Sequence, residues 1–270
     1  MPKFNLDPTG SRTRTALTIS LTSALVLASV TAHADENDAK RLLKGMSDYL
    51  AAQKAYSFDY DANLEVVTTE GQVIGIASSG ALTLNRPDKA HVTRHGGFAD
   101  VMMNFDGKTL TVFGKNLNVF TQLEIPGTVD HLIDELKDTY QRPLPAADLL
   151  LTNSYDILMK EVTDITDLGS GVIGGVECNS LAFRAKEVDW QIWIAQGDQP
   201  YPCRYVITSK LIDGGPQYSV QLSNWKAGDD VAAFDYNFKN TSDAQQVDLK
   251  DLEGAGDLPE IFVIDEGDSE

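Results

Sequence analysis

Cations are scarce in this chain. Against 40 Asp and Glu there are 22 Lys and Arg in 270 residues, a formal net charge of −18. Recognition of a phosphate backbone needs clustered Lys and Arg, so the balance argues against a nucleic-acid role. Metal donors are few as well: four His and two Cys. His91 and His95 would share one face of a strand over 90–95, but no third ligand accompanies them. G-x-S-x-G and H-E-x-x-H are both absent, and no Ser or Cys stands in a nucleophile context. No catalytic residue, metal site or cofactor is nominated. Past the N-terminus no apolar run reaches about 18 residues, so no internal membrane span is expected. Gly169-Ser170-Gly171-Val172-Ile173-Gly174 matches G-x-G-x-x-G, yet a strand follows it where a dinucleotide site needs a helix, so it reads as a turn.

What is present is ordinary globular material, 42% hydrophobic, behind a distinctive leader. Lys3, Arg12 and Arg14 precede an apolar stretch over 16–30, and Ala32-His33-Ala34 supplies small residues where a signal peptidase cuts. This layout predicts a signal peptide over 1–34, cleaved after Ala34, and a soluble, acidic periplasmic product. At the other end, residues 248–270 are acidic and Gly-rich and read as a flexible tail. The stretch 35–247 reads as a single domain.

Within that domain the period of the apolar residues changes. Ala39, Leu42, Leu43, Met46, Tyr49 and Leu50 recur at helical spacing and predict a helix over 36–54. From Tyr56 the period becomes two: Tyr56, Phe58, Tyr60, Ala62, Leu64 and Val66 alternate with polar residues, a half-buried strand. Asp106-Gly107 marks a two-residue hairpin. The first half reads as an antiparallel meander. Thr128 caps a helix over 129–138, with shorter helices expected near 145–151 and 153–161. Strands then resume near Val176, through Trp190, Ile192 and Ile194, through Cys203 and Tyr205, and through 217–225, with a last strand at Phe234, Tyr236 and Phe238. The fold class is α+β: a curved antiparallel sheet covered by helices.

Alternation puts Tyr56, Phe58, Tyr60, Leu64, Trp190, Ile192, Ile194, Phe234 and Tyr236 on the inward phase of their strands. They are the candidate walls of an apolar cavity, with a filled core as the competing arrangement. Trp193 is out of phase and is expected on the convex side or under a loop. Cys178 and Cys203 have two open fates in an oxidising compartment. Paired, they would close a loop of about 25 residues and contribute roughly 3–4 kcal/mol in the chain-entropy model. If the strand between them in sequence also separates them in space, the gap is too wide and both are buried thiols.

The segments Gly174-Gly175-Val176-Glu177-Cys178-Asn179-Ser180-Leu181-Ala182-Phe183 and Asp189-Trp190-Gln191-Ile192-Trp193-Ile194 resemble the predicted periplasmic proteins of family DUF2092. Arg86-Pro87-Asp88-Lys89, Pro126-Gly127-Thr128 and Pro145-Ala146-Ala147-Asp148-Leu149-Leu150 fit in order and spacing over roughly 40–240. The resemblance implies the fold of the outer-membrane lipoprotein carriers, an incomplete, strongly curved β-barrel closed by helices over an apolar cavity. It implies no activity. Ser180 and Cys203 depart from the family pattern, which carries a His and a basic residue there. The expectation is a non-enzymatic exported protein whose partner is a hydrophobic small molecule, lipid or lipoprotein. A protein-interaction module using the acidic surface and tail, and an envelope hydrolase, are the alternatives.

Overall fold

The computed structural model describes residues 36–97 and 100–249. The expected signal peptide over 1–34, and 250–270 of the expected tail, lie outside the described residues. No helix among the described residues is long and apolar enough to cross a membrane.

The first element is α1 (Glu36–Ala52), whose Ala39, Leu43, Met46 and Leu50 are buried along one stripe. A first meander follows: β1 (Ala55–Val67), β2 (Val73–Asn85), β3 (Lys89–Gly96), β4 (Asp100–Phe105), β5 (Thr109–Gly114) and β6 (Val119–Glu124). A hairpin forms at Asp106-Gly107, but its connection is the three residues 106–108 rather than the two expected. Gly107 has φ of 94°, and the Asp106 carboxylate accepts from the amides of Lys108 at 3.0 Å and Thr109 at 2.8 Å. That left-handed backbone favours glycine.

Helical elements then interrupt the strands: α2 (Val129–Asp138), a 3-10 turn at Ala147–Leu150, and α3 (Ser154–Leu158). Thr128 caps α2, its hydroxyl accepting from the His131 amide at 3.2 Å. The second meander is β7 (Asp164–Ile173), β8 (Val176–Arg184), β9 (Val188–Ala195), β10 (Pro202–Ser209) and β11 (Gln217–Ala227). The glycine-rich 169–174 segment lies mainly in β7, around a register shift between Asp167 and Ser170, and ends in the β7–β8 turn.

Strand β11 pairs antiparallel with β1, so the two meanders are one sheet. A two-residue strand, β12 (Gln245–Gln246), adds parallel to β6 at the edge. The order is β12-β6-β5-β4-β3-β2-β1-β11-β10-β9-β8-β7, an open, curved 12-stranded sheet.

The helices divide the concave face. Helix α1 packs with Trp190, Ile192, Ile194, Tyr205 and Phe183 of the second meander. Helix α2 lays Val129, Leu132, Ile133 and Leu136 over Leu84, Phe105 and Leu110 of the first. Ser47 Oγ accepts from the Tyr155 amide at 3.0 Å and meets Ser154 Oγ at 2.7 Å, a buried polar clasp joining α1 to α3. Arg86 joins the β2–β3 turn to the helical segment. Its guanidinium donates to the Leu150 carbonyl at 2.7 Å and lies 3.5 Å from Asp130, whose carboxylate also receives the amide and hydroxyl of Thr152.

Two further expectations need correction. Phe234, Tyr236 and Phe238 form no strand. The chain leaves the sheet at the 3-10 turn Gly228–Asp230 and crosses the outer face. There Phe234 stacks on His91 at 4.2 Å and Phe238 meets Phe120 at 4.9 Å. Their period of two arises from an extended segment with no neighbouring strand. The second concerns the cysteines. Strand β9 does separate β8 from β10, yet the structure joins Cys178 to Cys203 with Cα atoms 7.1 Å apart. Cys203 is the extra residue of a bulge, since Pro202 and Arg204 face consecutive residues Ile194 and Trp193. The bulge turns Cys203 to the outer face. Between the cysteines stands Ala195, opposite Cys178 and small enough to pass beneath the bridge. Trp193 lies on the same face, with the Arg204 guanidinium 5.6 Å from its ring centroid.

Two stability outcomes follow. Leu43 is fully buried, so Leu43→Ala should cost about 2–5 kcal/mol in urea unfolding, and the half-buried Leu42→Ala clearly less. Replacing Cys178 and Cys203 together by Ser should cost about 3–4 kcal/mol, and a reductant should then change nothing further.

Candidate functional site

Between the territories of α1 and α2 the concave face is left uncovered by either helix. A cavity of about 400 Å³ remains there, within the range of small-molecule sites. Its floor is the inward phase of five strands. Tyr56, Phe58, Tyr60 and Leu64 come from β1, Leu82 from β2, and Val92 and Arg94 from β3; Met103 comes from β4, and Tyr218 and Leu222 from β11. Its roof is Leu50 of α1 and the 144–150 segment. That segment is held from below by Arg86 through the Leu150 carbonyl.

The strongest local packing is aromatic. Trp225 lies nearly parallel to Phe58 at 5.8 Å and to Tyr201 at 4.9 Å, with Tyr56 at 5.2 Å. Its indole N–H donates to Tyr49 Oη at 3.3 Å, so the one polar atom of the ring is satisfied by α1. Tyr60 lies over Gly80. A Cβ on Gly80 would stand 1.9 Å from the Thr93 carbonyl and 2.6 Å from the Tyr60 ring. The missing side chain lets the ring lie against the sheet while its hydroxyl donates to the Thr93 carbonyl at 2.9 Å. Glycine here sets the depth of the floor.

Electrostatically the cavity is nearly blank. No carboxylate lines it, and Arg94 is its one cation among the described residues. Burial pushes the phenol pKa of both Tyr56 and Tyr218 up to about 12, so both stay protonated at neutral pH. Among the described residues Tyr56 Oη has no hydrogen-bond partner, and the Arg86 guanidinium lies 5.8 Å from its ring centroid.

Of the residues expected in the wall, the structure brings together Tyr56, Phe58, Tyr60 and Leu64. It does not bring Trp190, Ile192 or Ile194. They have the right face, but α1 fills that half: Ile192 and Ile194 are fully buried, and Trp190 stacks on Phe183 at 3.8 Å. Phe234 and Tyr236 lie with the segment that crosses the outer face, edge to face with each other at 5.0 Å. Sequence reasoning missed Trp225, Met103 and Arg94. Arg94 carried a signal, because it is out of phase with His91 and His95. Those two lie outside, His91 hydrogen-bonded to Asn104 and His95 3.1 Å from Asp100. Among the described residues no cluster of His, Cys, Asp or Glu could hold a metal ion.

These features define an α+β half-barrel: one open, curved antiparallel sheet with helices on its concave face. The chain belongs to the family of predicted periplasmic proteins DUF2092, whose model matches residues 39–250. No curated protein matches it. Among solved structures, it is similar to an uncharacterized conserved protein from Thermus thermophilus: TM-score 0.46, 11% identity, covering 77% of this chain and 98% of that one. It is also similar to the MucA/MucB complex of Pseudomonas aeruginosa: TM-score 0.44, 12% identity, covering 72% of this chain. This chain spans 59% of that relative's length. A third likeness is the Mycobacterium tuberculosis lipoprotein LppX: TM-score 0.36, 14% identity, covering 71% of this chain and 96% of that one.

Trp190→Ala separates core from wall. It should cost about 3–5 kcal/mol in urea unfolding and leave the affinity for an apolar probe unchanged. A loss of affinity without that cost would put Trp190 in the wall.

Proposed function

We propose that this protein binds, and carries within the cell envelope, one hydrophobic ligand: a lipid, an acyl chain or the lipidated end of a peptide. The supporting observation is the apolar cavity of about 400 Å³ between the two helix-covered halves of the sheet. A packed core would close such a space, because a void loses dispersion contacts and apolar burial. An inserted alkyl chain restores both, at about 0.8 kcal/mol per methylene removed from water. Nothing in the wall is arranged for proton transfer or nucleophilic attack, which favours binding over hydrolysis.

In this reading residues 1–34 are a leader removed after Ala34. Residues 35–247 form the binding domain, and 248–270 are an acidic tail outside it. The periplasm fits the load: an alkyl chain crossing an aqueous compartment needs a protein that hides it from water.

The neutral fluorophore N-phenyl-1-naphthylamine tests the proposal. It should bind one per chain with enhanced emission. Met103→Trp should narrow the cavity and weaken that binding while shifting urea stability by no more than about 1–3 kcal/mol. Unchanged binding in a folded Met103→Trp variant would refute the assignment of the cavity as the site.

A further inference from the structure

Arg94 is the feature of the cavity that apolar packing does not account for. Its side chain makes no hydrogen bond or ion pair among the described residues, although the chain holds 40 carboxylates. It lies half-buried on the row Tyr60–Gly80–Arg94–Val101, with the Tyr60 ring lying over Gly80. Ser78 is on the next row, opposite Ala62, and Tyr218 on the one after, opposite Leu64. Neither hydroxyl has a side-chain partner among the described residues. On the other side of Arg94 the rows are apolar, led by Phe58–Leu82–Val92–Met103 toward α2. The cavity is therefore polarised along the strands, with unpaired donors at one end and hydrocarbon and aromatic surface at the other.

We propose that the ligand is an anionic amphiphile, with its phosphate or carboxylate head on Arg94, Ser78 and Tyr218 and a single acyl chain running toward Met103 and Trp225. This rests on the cavity being the binding site, as proposed above. A guanidinium supplies five donors in a fork that matches the oxygens of either head group. Because burial keeps the Tyr218 phenol pKa at about 12, that hydroxyl remains a donor at neutral pH. With no carboxylate in the lining, an anion meets no local repulsion. A water takes roughly 30 Å³ of liquid and a methylene is of similar size, so the cavity of about 400 Å³ accommodates one chain on the order of a dozen carbons.

Isothermal titration of the full chain, stripped of lipid, tests this with dodecyl phosphate, dodecanol, dodecyltrimethylammonium and inorganic phosphate. Dodecyl phosphate should bind on the order of tenfold tighter than dodecanol, the effect of a hydrogen bond to a charged group, and the cationic probe weaker than both. Arg94→Met should erase the preference, lowering dodecyl phosphate affinity on the order of tenfold and dodecanol affinity far less, and Arg94→Lys should restore part of it. If Arg94→Met does not fold, Tyr218→Phe and the salt dependence of the native chain replace it: dodecyl phosphate affinity should fall several-fold with Tyr218→Phe and fall with ionic strength. Equal affinity for the phosphate and the alcohol would overturn the inference while leaving the cavity reading intact. Inorganic phosphate binding as tightly as dodecyl phosphate would overturn it in favour of a plain anion site. Failure of every dodecyl probe would instead overturn the proposed function itself.

Discussion

Antiparallel pairing of β1 with β11 places the first strand of one meander beside the last strand of the other. Both meanders must then bury their inward phase against the same concave face. A 12-stranded sheet offers more of that face than the two long helices can cover. Helix α1 is drawn to the second meander and α2 to the first, each by its own apolar stripe. The seam between them runs along β1, where the inward residues are the aromatic run Tyr56, Phe58 and Tyr60. The cavity is thus a consequence of topology: the strands that join the two halves lie where the two helix-packed clusters meet and neither closes the face.

An uncovered apolar seam costs stability, and the surrounding polar contacts show what keeps it open. Arg86 and Asp130 hold the 144–150 roof at a fixed height above β1 and β2. Gly80 keeps Tyr60 flat on the floor, and Tyr49 satisfies the Trp225 indole so that its ring can face the interior. The outer face is finished differently. The 231–244 segment covers β3 to β6 with Phe234 and Phe238, and the Cys178–Cys203 bridge with Trp193 closes the end of β8 to β10. The two faces share one alternation but not one role.

Much of this was legible in the residues. The change of period at Tyr56, the Thr128 cap and the Asp106-Gly107 turn each state a local rule that the fold obeys. The inward face of β1 could be read residue by residue because alternation determines which side a residue faces. What alternation does not say is what lies on that side. Trp190 and Phe58 have the same phase, and only the docking of α1 makes one core and the other wall. Trp225 was hidden by a bulge: with Asn224 at a φ of 52°, the inward phase passes from Tyr218, Val220 and Leu222 to Trp225 and Ala227. Phe234 shows the opposite failure, a strand-like period in a segment with no strand beside it.

If a hydrophobic chain lies in the uncovered seam, its far end can be located there. The direct measurement is a crystal structure of the protein with dodecyl phosphate brominated at the terminal carbon, the bromine located by anomalous scattering. A bromine peak is expected on the concave face among Phe58, Met103 and Trp225, with the phosphate toward Arg94. A bromine peak beneath α1 beside Trp190, on the outer face near Phe234, or nowhere on the protein would contradict that placement.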